Sequence, residues 1–221
     1  MMISEPMSPI ALRTGEQYRR AAQLTSASAS PAGLVLIAGT SGRELCRDLV
    51  GHLLASAGRR TVTGLLEAAA KGPSMRAGDR IVADWVPTDG TAFERGPVLV
   101  AVTALRSDEL PQSWERDAYA AGTARLVRSA GQAVVANGRD PVATGLAAMA
   151  RVPVYLTDAI DPAPLAVLRG DRLVLREPDT GARGVCALPD TALRGNWQVE
   201  IGMVAATVAL LSGVRAGAVV D

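Results

Sequence analysis

The segment Gly39-Thr40-Ser41-Gly42-Arg43-Glu44 has the residue types of a phosphate-binding turn. Glycines between a strand and a helix let backbone N–H groups face an anion at the positive end of the helix dipole. A working turn of this kind also needs Gly-Lys-Ser or Gly-Lys-Thr, with the lysine reaching the outer phosphates and the hydroxyl on Mg²⁺. Those two positions read Arg43 and Glu44 here. Arginine keeps the charge but replaces a compact ammonium with a broad planar fork. Glu44 is the more severe change. A carboxylate roughly 4 Å from a phosphate oxygen, at an effective dielectric near 20, is repelled by about 4 kcal/mol, on the order of a thousandfold in affinity. The expectation is a strand-to-helix turn that binds no nucleotide, the alternative being that Glu44 serves as a Mg²⁺ ligand in an altered site.

Few other residues could do chemistry. The chain has one lysine, Lys71, among 23 basic residues, and it lies in a loop as solvated charge. His52, the one histidine, has no nucleophile pattern nearby and reads as a partly buried or surface helix residue. Asp108-Glu109 with Asp117 could bind a metal, but acids also favour a helix start, and a solvated start is the expectation. Cys46 and Cys186 form no Cys-x-x-Cys pair and read as two buried thiols of a cytoplasmic protein. Trp85, Trp114 and Trp197 are expected in cores or interfaces, and Arg19-Arg20 and Arg59-Arg60 as surface charge.

These residues need elements to position them. Residues 1–32, with a short helix at 12–24 and a Ser/Ala/Pro tract after it, read as an arm and linker, and 33–221 as one domain. Leu34-Val35-Leu36-Ile37-Ala38 is the continuous apolar run of a strand covered on both faces, and a helix follows from Arg43 to Ala57. Strands at 80–86, 97–103, 132–136 and 152–156 alternate with helices at 114–129 and 141–150, which implies crossovers and a mostly parallel sheet. Short alternating runs at 165–168, 172–175 and 184–188, separated by Gly-Asp and Pro-Asp-Thr-Gly turns, predict a small antiparallel β meander. A final helix at 198–212 ends at Gly213.

Composition limits the function classes. The chain has 221 residues, 48% of them hydrophobic and 20% charged, enough for a sizeable core and unlike a disordered or fibrous chain. A net charge of +1 gives no electrostatic argument for nucleic acid or an acidic membrane. The longest apolar stretch, from Ile201 to Val214, falls short of the roughly 20 residues of a membrane span.

From Leu34 to Val220 the order of segments resembles the central, ATP-binding domain of the Mur ligase family, which includes folylpolyglutamate and cyanophycin synthetases. Gly39-Thr40-Ser41-Gly42 is similar to the first half of the family's Gly-Thr-Asn-Gly-Lys-Ser/Thr turn. Asp84 falls where a strand ends in a metal-associated Glu. Thr103-Ala104-Leu105-Arg106-Ser107-Asp108-Glu109-Leu110 echoes Thr-Asn-Ile-x-x-Asp-His-Leu, and Thr123-Ala124-Arg125-Leu126 echoes the Lys-Ala-Arg-Leu that carries a carbamylated lysine. Asn137-Gly138-Arg139-Asp140-Pro141 resembles Asn-x-Asp-Asp-Pro. Gly195-Asn196-Trp197-Gln198-Val199-Glu200-Ile201 resembles Gly-x-His-Asn-x-x-Asn before an alanine-rich helix.

The departures fall on the reactive positions. The resemblance implies a family that makes an acyl phosphate with ATP and lets an amine attack it, using lysine and Mg²⁺ to neutralise phosphate charge. Here the turn lysine is Arg43, its hydroxyl neighbour Glu44, the metal histidine Glu109, the carbamylated lysine Thr123 and the adenine-contacting asparagine Ile201. Asp84, Thr103, Asp108 and Asp140 are retained, with Asp140-Pro141 expected to persist as a turn. Family members also carry domains before and after this one, whereas residues 1–33 precede the first strand here, so a stand-alone domain is expected.

These features predict a catalytically degenerate, cytoplasmic domain that acts by binding. It would form a homo-oligomer or a heterocomplex with a biosynthetic enzyme, the alanine-rich final helix supplying an uncovered apolar face, and would need no cofactor. Its cleft or interface would include Thr123, Asn137, Asp140 and Trp197. The alternative is an ATP- and Mg²⁺-dependent acid–amine ligase with a metal site of Glu44, Asp84, Asp108 and Glu109, completed by another subunit.

Overall fold

A computed structural model describes residues 33–65, 78–86, 97–106, 109, 113–158 and 165–220. Lys71, Asp108, the N-terminal arm with its helix and Arg19-Arg20 lie outside them, as does the side chain of Trp114. The apolar run forms β1 (Gly33–Ala38), followed by α1 (Arg43–Ser56), β2 (Thr61–Leu65), β3 (Arg80–Asp84) and β4 (Leu99–Val102). Then come α2 (Ser113–Ser129), β5 (Ala133–Ala136), α3 (Pro141–Ala147) and β6 (Val154–Leu156). The meander is β7 (Ala166–Arg169), β8 (Arg172–Arg176) and β9 (Arg183–Ala187), and the chain closes with α4 (Asn196–Leu211) and α5 (Ala216–Val220).

The first six strands form one parallel sheet in the order β2-β3-β1-β4-β5-β6, and the last three an antiparallel sheet. This is the expected α/β architecture of a mostly parallel, helix-flanked sheet with a small meander near the C-terminus. Strand alternation divides the core. Val35 and Ile37 of β1 face α1, α4 and the inner side of the meander, while Leu36 and Ala38 face α2 and α3. Since β3 and β4 lie on opposite sides of β1, the carboxyl ends of these three strands open on the crevice where the winding direction reverses.

Several expectations need correction. β2 carries no apolar run, because it is a Thr-Val-Thr-Gly edge strand paired only with β3. Asp140-Pro141 is a helix N-cap rather than a turn. The Asp140 carboxylate accepts from the N–H groups of Val142 and Ala143, and Pro141 sits where no donor is needed. Cys46 is buried, but Cys186 on β9 is only half-buried. The alanine-rich α4 offers no uncovered face, since every residue from Ile201 to Leu211 is buried between the two sheets and α1. Thr123 is likewise fully buried, within α2, so it is an interior residue and not an interface one.

Candidate functional site

Gly39 and Gly42 take positive φ angles of 146° and 75°, which let the chain leave β1 and enter α1 in four residues. A Cβ on Gly39 would meet Thr103 Oγ1 at 2.0 Å, and one on Gly42 would meet Ile201 Cδ1 at 2.6 Å. The turn is tied down from several sides. Thr40 donates its N–H to Ala104 O at 2.8 Å, and its hydroxyl accepts from Arg106 N at 2.8 Å. Thr103 donates its hydroxyl to Ser41 O at 2.7 Å. From α2 the buried Tyr119 hydroxyl donates to Gly39 O at 2.7 Å and accepts from Gly39 N at 3.1 Å. Burial raises the Tyr119 phenol above its usual range, against the Gly39 hydrogen bond and the charge of Arg43.

The two N–H groups nearest β1 therefore point at partners inside the protein. Arg43 does not reach outward as a phosphate lysine would, because its guanidinium folds back and donates from Nη1 to Gly39 O at 3.1 Å. Glu44 is exposed on the first turn of α1.

Asp84, at the end of β3, is 4% exposed. One helical turn beyond Arg43, Arg47 places Nη1 2.5 Å from Asp84 Oδ2, and its Nε and Nη2 lie 2.8 and 2.7 Å from Asp48 Oδ1. Burial raises the Asp84 carboxyl above the ordinary range, with Arg47 and Arg43 pulling it down. The charge on Asp84 is thus met by a side chain of the same domain.

That arrangement bears on the metal expected under the alternative. One Asp84 oxygen is engaged by Arg47, Glu44 and Glu109 are exposed, and Asp108 is outside the described residues. Among the described residues no group of three or more His, Cys, Asp or Glu side chains is gathered as a metal site. Of the proposed donors that are described, Glu44, Asp84 and Glu109 are not gathered into one cluster.

Some buried polar atoms are unpaired. Asp84 Oδ1, Arg43 Nε, Trp85 Nε1 and Thr123 Oγ1 are all buried without a hydrogen-bond partner. Trp85 packs edge-on against Tyr119, with ring centroids 6.4 Å apart, and Thr123 follows Tyr119 by one turn on the same face of α2. Buried polar groups are rarely left unmatched.

A second polar group closes the crevice at β5 and β6. Asn137, 2% exposed, donates from Nδ2 to Glu200 Oε2 of α4 at 3.0 Å and accepts from Arg139 N at 3.0 Å. Arg139 Nη1 lies 3.7 Å from Glu200 and its Nη2 2.6 Å from Asp158, whose φ is 54°. Asp140 also accepts from Leu105 N at 3.0 Å, linking the α3 cap to the segment after β4. Trp197, 49% exposed, stands beside Gly42 at the start of α4, and Ile201 fills the space over that glycine. His52 is exposed on α1, away from these groups.

The structure therefore gathers the glycine turn, Arg43, Asp84 and Trp197 around one crevice, with Asn137 and Asp140 along its β5 side, and leaves Thr123 in the interior of α2. Sequence reasoning missed Arg47, Tyr119 and Glu200. Arg47 had a signal, lying four residues after Arg43 and so on the same helix face. Tyr119 and Glu200 had none, since their partners are 80 and 63 residues away.

No model of a known protein family matches the chain. It is 31% identical to the UDP-N-acetylmuramoylalanine--D-glutamate ligase of Myxococcus xanthus (strain DK1622) over 246 aligned positions, which take in 99% of this chain and 52% of that protein. Among solved structures it resembles a UDP-N-acetylmuramoyl-L-alanyl-D-glutamate--2,6-diaminopimelate ligase, with a TM-score of 0.65 and 18% identity over 95% of this chain and 49% of that one. A pseudomurein peptide ligase type C from Methanothermus fervidus superposes with a TM-score of 0.62 and 13% identity, covering 89% of this chain and 50% of the other. The chain spans about half the length of these relatives. The sequence match along nearly the whole chain and the shared fold agree with the motif order, and the chain resembles the Mur ligases over about half of their length.

Proposed function

We propose that this domain acts by binding rather than by ATP-driven ligation. It would hold a small polar ligand in the remodelled crevice, or pair with an active amide ligase or another biosynthetic enzyme. The observation that carries this reading is the ion pair between partly buried Arg47 and buried Asp84, with Nη1 2.5 Å from Oδ2. In a ligase of this kind the acid would help to place a cation against phosphate; here a guanidinium from the same domain answers it. Arg43, turned onto Gly39 O, supports the same view.

The second reading is an ATP-dependent acid–amine ligase with an altered metal and phosphate site, completed by another subunit. The similarity to curated and solved ligases supports this reading better than it supports a binding-only role. In it Glu44, exposed at the head of α1, would join Asp84, Asp108 and Glu109 around the metal.

Isothermal titration with ATP and Mg²⁺ separates the two. The binding reading expects no micromolar binding, and removal of the repelling carboxylate in Glu44→Ala should improve whatever weak binding exists. Micromolar binding that Glu44→Ala abolishes, with phosphate released on adding amino acids, would establish the ligase.

A further inference from the structure

The outer face of the three-stranded sheet, remote in sequence from the glycine turn, carries charge without compensation. Alternation along β8 sends Leu173 and Leu175 into the core and turns Arg172, Val174 and Arg176 outward. The register sets Arg169 opposite Arg172 and Val167 opposite Val174 on one side. On the other it sets Val185 opposite Val174 and Arg183 opposite Arg176. A band of three valines, with Val185 49% exposed, is thus bracketed by an exposed arginine pair at each end.

Like charges directly opposite on a ladder are destabilising. Among the described residues none of these four guanidinium groups has an ion pair or hydrogen bond; Glu177, next to Arg176, instead turns to Arg215 and Ala216 N. The fold therefore keeps two repulsive pairs around an apolar strip on an open face.

We infer that this face docks an extended acidic segment of a partner protein. The argument is charge complementarity at a fixed spacing. Arg172 and Arg176 are four strand residues apart, roughly 13 Å at about 3.3 Å per residue. An extended segment laid along β8, with carboxylates at i and i+4 and an apolar residue at i+2, puts one acid on each arginine pair and its apolar side chain on the valine band. The planar fork of arginine suits carboxylates well. A phosphate backbone or a lipid surface meets the charge but not the apolar band at that spacing.

The probe is a fluorescein-labelled peptide containing Glu-Thr-Val-Thr-Glu, titrated with the full chain and read by fluorescence anisotropy at low and physiological salt. Binding should be about tenfold tighter than for a peptide of the same composition with its glutamates adjacent, and about tenfold weaker for R172E/R176E. That variant turns both repulsive pairs into attractive ones, so it should keep its circular dichroism and melt at a higher temperature. Equal affinity for the two peptides or unchanged binding by the folded variant would overturn the inference. So would arginine-dependent binding of a single-stranded oligonucleotide or of phosphatidylserine vesicles that is tighter than peptide binding.

Discussion

Arg47 pairs with Asp84 at the end of β3. Its partner Asp84 is 4% exposed and carries an oxygen without a hydrogen bond, so the pair sits where an uncompensated charge is expensive. Breaking a buried pair from one side costs about 3–5 kcal/mol because the other charge is stranded. Arg47→Met, which leaves buried Asp84 without its partner, should therefore lower the urea unfolding free energy by about 3 kcal/mol. Arg47→Met with Asp84→Ala should recover a good part of that loss, a coupling read from the double-mutant cycle. Equal, additive losses would mean that the pair is not the unit that neutralises the crevice. Arg47 stands out from the sequence only through its helix face relative to Arg43. Its partner comes from β3, and nothing along the chain announces that meeting.

The elements divide by how local their signals are. β1, α1 and the meander are legible because a buried apolar run, a glycine turn and Gly-Asp or Thr-Gly turns each state their conformation within a few residues. β2 escapes because Thr61-Val62-Thr63-Gly64 draws its order from the neighbouring β3. α5 escapes because it is held by a distant acid. Glu177, after β8, accepts from Thr180 Oγ1 at 2.6 Å, Arg215 Nη1 at 3.0 Å and Ala216 N at 3.0 Å. These bonds, Thr180 first, hold its carboxyl below the ordinary glutamate range. A depressed carboxyl contributes stability that is present above the unfolded value of about 4.5. That contribution fades as pH falls through the lower folded value. Thermal melts between pH 6 and pH 3 should therefore show an acid loss that is smaller in Glu177→Gln. An identical acid profile in that variant would show that Glu177 does not lock α5 to the meander.

At the scale of the molecule, α4 ties the two sheets together. It packs on β4 and β5 of the large sheet and on β7 and β8 of the meander, with Met203 fully buried. Met203→Ala should cost about 2–5 kcal/mol and lower the melting of both sheets in a single transition. Two separate transitions, resolved by amide probes on β5 and β8, would show that the meander folds apart. The same architecture made the fold readable from motif order, since ligase relatives share it. The reactive positions could be read only as substitutions, because the side chains that answer them come from other elements. The central claim of the proposed binding role is that the charge of Asp84 is met from within by Arg47. The most direct measurement is paramagnetic broadening of backbone amides in ¹⁵N-labelled protein when Mn²⁺ is added with ATP. The account predicts that the Asp84 and Trp85 amides keep their intensity at equimolar Mn²⁺; their selective disappearance at that concentration would contradict it.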